Sequence, residues 1–120
     1  MKQKKKNSAE KAYKLARKLL KEGDGLEMLR MHDFPDDESA HDDELTQRLY
    51  AEFSAELERI QTTLTEHFGE PAQVGNEDHD LIPLNGVFNF AIWEVNEQNL
   101  FVAAHHEDRG VPIILVIGIA

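Results

Sequence analysis

Seven apolar residues that recur at intervals of three or four positions are the strongest constraint on how this chain of 120 residues can fold. They are Leu45, Leu49, Phe53, Leu57, Ile60, Leu64 and Phe68. Steps of three and four return to one side of an α-helix, so the pattern predicts a long helix over residues 43–68 with a single buried face. Gly69 and Pro71 mark its end. Such a face must pack on a second layer of structure.

A shorter helix is predicted over residues 8–22, with residues 1–7 as a frayed basic tail. Its apolar stripe consists of Ala12, Tyr13, Ala16, Leu19 and Leu20. Asn7 and Glu10 resemble a capping box before the stripe, and Gly23 favours a stop after it. Residues 25–32 favour a third, short helix, which ends before Pro35.

The hydrophobic period changes from helical to alternating after Leu81, which predicts strands over residues 86–95, 100–106 and 113–119. Residues 81–84 are a candidate fourth strand, and residues 72–80 are predicted to be a loop. The last strand is apolar on both faces, which is typical of a strand that is central or covered on both sides. The predicted class is α+β: one domain over residues 1–120, with two or three N-terminal helices packed on a C-terminal antiparallel three- to four-stranded meander sheet in residues 81–119.

Charge is distributed unevenly along the chain. The first 21 residues hold nine of the 13 basic residues and one of the 23 acidic residues, so they carry +8 and the remainder carries −18. A body this acidic repels nucleic acid and anionic membranes and attracts basic proteins. We therefore expect a basic protein partner, with neither nucleic acid nor membrane as a ligand.

Several functional classes are disfavoured by composition. The chain has no cysteine, which excludes disulfides, thiolate metal sites and a cysteine nucleophile. No apolar stretch follows the N-terminal lysines, and the apolar run from Ile113 is too short to span a bilayer as a helix. The interpretation is a soluble, cytoplasmic protein, with a monomer favoured.

No catalytic motif is present. The serines, Ser8, Ser39 and Ser54, do not lie in a nucleophile elbow, so the chain is not predicted to be an enzyme. His105 and His106 precede two acids, but adjacent strand residues point to opposite faces and cannot chelate together. We therefore predict no metal and no cofactor. A metal-dependent hydrolase using His79, His105 or His106 is kept as a third alternative.

Acidic residues form two candidate binding patches. The first lies before the long helix and consists of Asp36, Asp37, Glu38, Asp42, Asp43 and Glu44. The second lies around the predicted strand ends and consists of Glu77, Asp78, Asp80, Glu107 and Asp108. Each also has a simpler interpretation as a solvated loop or as helix-start acids that favour the helix dipole. Tyr50, Trp93 and Phe101 are candidate buried anchors for a partner if they prove to be exposed.

The C-terminal half carries a resemblance. Residues 64–71 read Leu-Thr-Glu-His-Phe-Gly-Glu-Pro, a helix end followed by a Gly and Pro turn. A strand bearing Trp93, a strand leading into His-Glu-Asp at residues 106–108, and an apolar strand led by Pro112 follow. Over residues 64–119 this arrangement resembles the small acidic immunity proteins of bacterial polymorphic and contact-dependent toxin systems.

The resemblance implies an immunity protein that binds a cognate toxin domain, a basic nuclease in the leading case, and occludes its active-site surface with the acidic residues named above. Complementary charge would speed the encounter and increase specificity. The alternative is an acidic adaptor or chaperone for a basic client protein. An immunity protein forms a tight pair with one toxin, whereas an adaptor binds several clients more weakly.

Overall fold

The computed structural model describes residues 3–33, 42–82, 84, 88–106 and 112–120, with side chains from Ala9 onward. Its elements in chain order are α1 Gln3–Glu22, β1 Leu26–His32, α2 Asp43–Phe68, β2 Gln73–Glu77, β3 Phe88–Val95, β4 Gln98–His105 and β5 Ile113–Ile119. The α+β class is confirmed, with two helices among these residues, but the sheet has five strands and not the predicted three to four.

The five strands form one antiparallel sheet in the order β1-β5-β4-β3-β2. β2 to β5 are a meander, and β1 lies beside β5 at the opposite edge from β2. β1 and β2 therefore run in the same direction, and α2 carries the chain back between them. Because β1 precedes α2, the prediction that all helices come before the sheet along the chain was wrong.

Two strands occupy segments for which the sequence favours other structures. Residues 26–32 form β1 rather than a short helix, and residues 73–77 form β2 within the predicted loop. β1 has a bulge between Met28 and Arg30, and the extra residue breaks the alternation that marks a strand in sequence. β2 contains Gly and Asn, which are depleted in strands, and its pairing with β3 imposes the extended conformation. The described residues 81, 82 and 84 lie outside the strands, so the candidate fourth strand is not there.

Helix α1 begins at Gln3, earlier than the predicted start at residue 8. The difference falls in the lysine-rich segment that was predicted to be frayed. Lys and Gln are good helix formers, so the helix continues past the predicted cap at Asn7.

Both helices cover the same face of the sheet, here called the helix face. The buried stripe of α1 and the predicted stripe of α2 pack there against strand residues that include Trp93, Leu115 and Ile117. The Trp93 indole N–H donates to the carbonyl of Gly69 at 3.0 Å. Gly69 has φ +87°, a conformation that glycine adopts readily, and its N–H donates to the Thr65 carbonyl to end α2. The long helix thus ends at the residue that the sequence indicates.

The opposite face, here called the outer face, has an aromatic core of its own. Its buried strand residues are Phe88, Phe90, Ile92, Phe101, Ala103 and Val116, and Ile82 packs against them. β3 therefore has two apolar faces, with Phe88, Phe90 and Ile92 on the outer face and Ala91 and Trp93 on the helix face. The chain itself contributes to covering this side of the sheet, because Ile82 is buried against it.

An ion pair connects β1 to α2. The Arg30 guanidinium donates to the buried Glu56 carboxylate at 2.7 Å, lies 3.6 Å from Glu52, and stacks 4.5 Å from the centre of the Phe53 ring. Glu56 is nearly inaccessible, whereas the Glu52 side chain is half exposed. Glu56 is therefore the partner that holds the edge strand to the helix layer.

Replacing Glu56 by Ala should lower the free energy of unfolding by about 1–3 kcal/mol, because it removes a charged acceptor and leaves the guanidinium without its closest partner. The matched control, Glu52→Ala, should change it by about 0–1 kcal/mol, since that pair is long and solvated. Urea unfolding of both variants measures the difference. Equal losses would contradict the assignment of Glu56 as the main partner.

Candidate functional site

The ends of several elements meet at one end of the sheet, here called the acidic end. β1, β2 and β4 finish there at His32, Glu77 and His105, and β3 and β5 begin there. The start of α2 lies over the same end, because Thr46 of its first turns lines a groove together with His106. Segments far apart in sequence are thereby brought together.

Six of the predicted acidic residues lie among the described residues at this end. Three belong to the start of α2 and three follow β2: Asp42, Asp43, Glu44, Glu77, Asp78 and Asp80. All six are exposed. The sequence has no lysine or arginine between Arg30 and Arg48, or between Arg59 and Arg109. The two patches separated in sequence thus contribute to one end of the molecule.

The other five predicted residues lie outside the described residues. They are Asp36, Asp37, Glu38, Glu107 and Asp108. The described residues that flank them, Asp33 and Asp42 on one side and His106 and Pro112 on the other, are at or next to element ends that belong to the acidic end.

Asp42 also has a structural role. Its carboxylate accepts a hydrogen bond from the Leu45 N–H at 3.0 Å and caps α2. Asp43 and Glu44 follow in the first turn, where the helix dipole favours negative charge. The helix-start interpretation therefore accounts for Asp42, while Asp43 and Glu44 combine a favourable position with exposed side chains.

A groove of about 450 Å³ opens at the acidic end between α2 and the sheet. Its walls are Thr46, Gln47, Tyr50, Ala51, Asn76 and His106. Asp43 precedes Thr46 and Gln47 by three and four positions, so it shares their side of the helix. The groove thus combines apolar and polar surface with the Asp43 carboxylate on its helix side.

A hydrogen-bonded network of uncharged groups forms one wall of the groove. The Asn89 amide donates to the Tyr50 hydroxyl at 3.2 Å and to the Ser54 hydroxyl at 3.0 Å. The Tyr50 hydroxyl donates to the Ala104 carbonyl at 3.2 Å, and the Asn76 amide donates to the Asn89 side-chain oxygen. The network fixes the Tyr50 ring at the groove, which is the rigid arrangement that a binding surface needs.

Only one of the three candidate aromatic anchors is available to a partner. Trp93 and Phe101 are buried in the helix-face core and the outer-face core respectively. Tyr50 is half-buried and lines the groove. Trp93 and Phe101 therefore pack in the two cores, and Tyr50 is the remaining candidate anchor.

The described histidines His79, His105 and His106 lie in different parts of the fold. The Leu81 N–H donates to Nδ1 of His79, so Nε2 carries the proton and donates to Gln73 at 2.9 Å. His105 is buried 5.6 Å from the Phe88 ring on the outer face, whereas His106 lines the groove. Within the described ranges no group of three His, Asp or Glu side chains could hold a metal ion.

The basic residues in the last turns of α1 lie away from the acidic end. Lys14, Arg17, Lys18 and Lys21 surround a recess of about 350 Å³ on this helix. The last turn of α1 is fixed at the opposite end of the sheet, where Gln98 donates to the Leu20 carbonyl at 3.0 Å. The exposed lysines of this turn are therefore remote from the groove.

Comparison of the chain with protein-family models, with curated protein sequences and with solved structures found no match in any of the three. No helix in the described part of the chain is long and apolar enough to cross a membrane.

The ionisation of the Tyr50 phenol tests whether this side chain is buried in the groove wall. Burial raises the pKa of its hydroxyl above the usual 10.0, and the hydrogen bond from Asn89 lowers it by less. The folded state therefore favours the neutral phenol, and its contribution to stability is complete below pH 10.0 and is lost as pH rises through the raised pKa. The difference in unfolding free energy between the wild type and Tyr50→Phe should shrink between about pH 8 and pH 11. Urea unfolding across this range measures it, and a difference that stays constant or grows would contradict the buried, neutral phenol.

Proposed function

We propose that this chain is a cytoplasmic immunity protein that binds a cognate bacterial toxin domain and blocks it. The acidic end is the binding surface, and the toxin is a basic domain such as a nuclease. Binding covers the cationic surface that the toxin needs for its own substrate.

The observation that carries the proposal is the group of six exposed carboxylates at the acidic end, the end at which the groove opens. A nuclease must present cationic groups to the phosphates of its substrate. A dense set of carboxylates competes for those groups and steers a basic protein toward the groove before contact. The segments that contribute these carboxylates contain no lysine or arginine. No basic residue within those segments therefore offsets their negative charge.

The groove supplies a surface for affinity, which exposed charges alone do not provide. Exposed charge pairs contribute mainly to association rate and specificity, whereas affinity comes from a few groups that become fully buried. Tyr50 is held rigidly with an accessible side at the groove. An arginine or lysine of the toxin would lay its apolar stem against Tyr50 and Ala51 and direct its charge to Asp43.

An adaptor for several basic clients would use the same surface. The two functions differ in breadth and affinity, since a toxin inhibitor must hold one partner tightly. The partner to test first is the C-terminal domain of the protein encoded immediately upstream. If expression of that domain stops growth and the wild-type chain restores it, the immunity function is supported; if the domain is harmless, or kills equally with this chain present, the immunity function is wrong.

Reversing Glu77, Asp78 and Asp80 to Lys should lower the association rate constant with the toxin domain by about tenfold or more at low salt, because the steering field is removed. The same variant should lose part of the salt dependence of association. Stopped-flow or surface-based kinetics at two salt concentrations measure both quantities.

The matched control reverses Glu66, Glu70 and Glu94, three exposed acids located toward the opposite end of α2 and β3. It changes net charge by the same amount, so it should alter the rate constant far less. If both variants slow association equally, net charge alone acts and the acidic end is not the interface. Circular dichroism and thermal unfolding of each variant verify that both are folded.

A further inference from the structure

β1 is an edge strand that exposes more large apolar side chains than β2, the strand at the other edge. It pairs with β5 on one side, and within the described ranges no strand lies beyond it. Leu26, Met28 and Met31 are 48%, 49% and 55% exposed, whereas β2, at the other edge, is a shorter strand with Val74 as its one exposed large apolar side chain. An edge strand presents unpaired N–H and C=O groups, and apolar side chains make it a template for pairing.

The bulge in β1 places these three side chains on one face. Leu26 and Met28 lie opposite Gly118 and Val116, and Met31 lies opposite Ile114 after the register shift. In a regular strand Met28 and Met31 would point to opposite faces, because they are three positions apart. Because of the extra residue, Leu26, Met28 and Met31 form one apolar strip on the outer face. Methionine side chains adapt readily to a partner of irregular shape.

The helix face of the same edge is acidic. Glu27 lies opposite Ile117 of the helix-face core, and Arg30 is engaged by Glu56 and Glu52. The three carboxylates of Glu27, Glu52 and Glu56 and the guanidinium of Arg30 together carry a formal charge of −2. The Glu52 side chain is 52% exposed and can accept a further cation.

We propose that β1 is the docking edge for an extended segment of the basic partner, which adds a sixth strand to the sheet. Alternate side chains of that segment are apolar over Leu26, Met28 and Met31, and the others are Lys or Arg facing Glu27 and Glu52. Main-chain hydrogen bonds give such an interaction its affinity, and the alternation gives its specificity. The proposal takes only the basic character of the partner from the proposed function.

A second copy of this chain fits the edge less well. Two β1 strands side by side would bring one acidic side, with its charge of −2, against another, and like charges placed opposite each other across strands are destabilising. A basic segment neutralises the same charges. Complementarity therefore selects a basic strand over self-association.

The first experiment does not need the toxin. Two fluorescent octapeptides of identical composition serve as probes, one with Lys and Val alternating and one with four Lys followed by four Val. The alternating peptide should bind the wild-type chain about tenfold more tightly than the block peptide, since only it can satisfy both sides of a strand. Met28→Lys should abolish this preference, and Val74→Lys at the other edge should retain it. Equal binding of both peptides by the wild type, or a preference that Met28→Lys retains, would overturn the proposal.

The second experiment uses the toxin domain and separates this proposal from the proposed function. Met28→Lys should weaken toxin binding by about tenfold and Val74→Lys by less than about twofold. If the wild type binds the toxin and Met28→Lys binds equally well, strand addition is wrong while the immunity function stands. Sedimentation of the wild type and of Met28→Lys provides a further check: a wild-type dimer that Met28→Lys converts to a monomer would show that a second copy occupies this edge and would overturn the proposal.

Discussion

The pairing of β5 with β1 on one side and β4 on the other is the interaction on which the rest of the structure depends. Ile113–Ile119 is apolar on both faces, with Leu115 and Ile117 buried under the helices and Val116 buried in the outer-face core. This strand joins the N-terminal half of the chain, which supplies β1, to the meander of β2 to β5. A strand that contributes to two cores and two pairings cannot slip in register without exposing both.

That arrangement also creates the acidic end. Since β1 and β2 run in the same direction at opposite edges, their C-terminal ends fall on the same side of the sheet, and α2 must start there to return the chain. The acidic residues after β2 and at the start of α2 therefore lie at the same end of the molecule, although more than thirty positions separate them in sequence. The basic face of α1 ends at the other side, near Gln98.

The sequence predicts those features that have a strong local pattern and misses those that depend on pairing. Residues 43–68 form the expected helix because seven apolar residues keep its period, and β3, β4 and β5 follow from alternation and apolar runs. β1 was missed because its bulge imitates helical spacing, and β2 because Gly75 and Asn76 carry no strand signal. The acidic residues were found from composition, but the groove was not, since Tyr50, Asn76, Asn89 and His106 meet only after the strands pair. One signal was present: Asn89 interrupts an apolar strand at a position that faces the helix, where a polar side chain needs partners.

The central claim is that a basic protein binds at the acidic end, and mapping the interface by NMR tests it most directly. The backbone amide shifts of the isotope-labelled chain would be compared without and with the unlabelled toxin domain encoded upstream. We expect the perturbed amides to cluster at residues 43–51, 76–80 and 106, around the groove, together with residues 26–32 of the docking edge. Perturbations confined to α1 and the turn between β3 and β4, with the groove residues unchanged, would contradict the account.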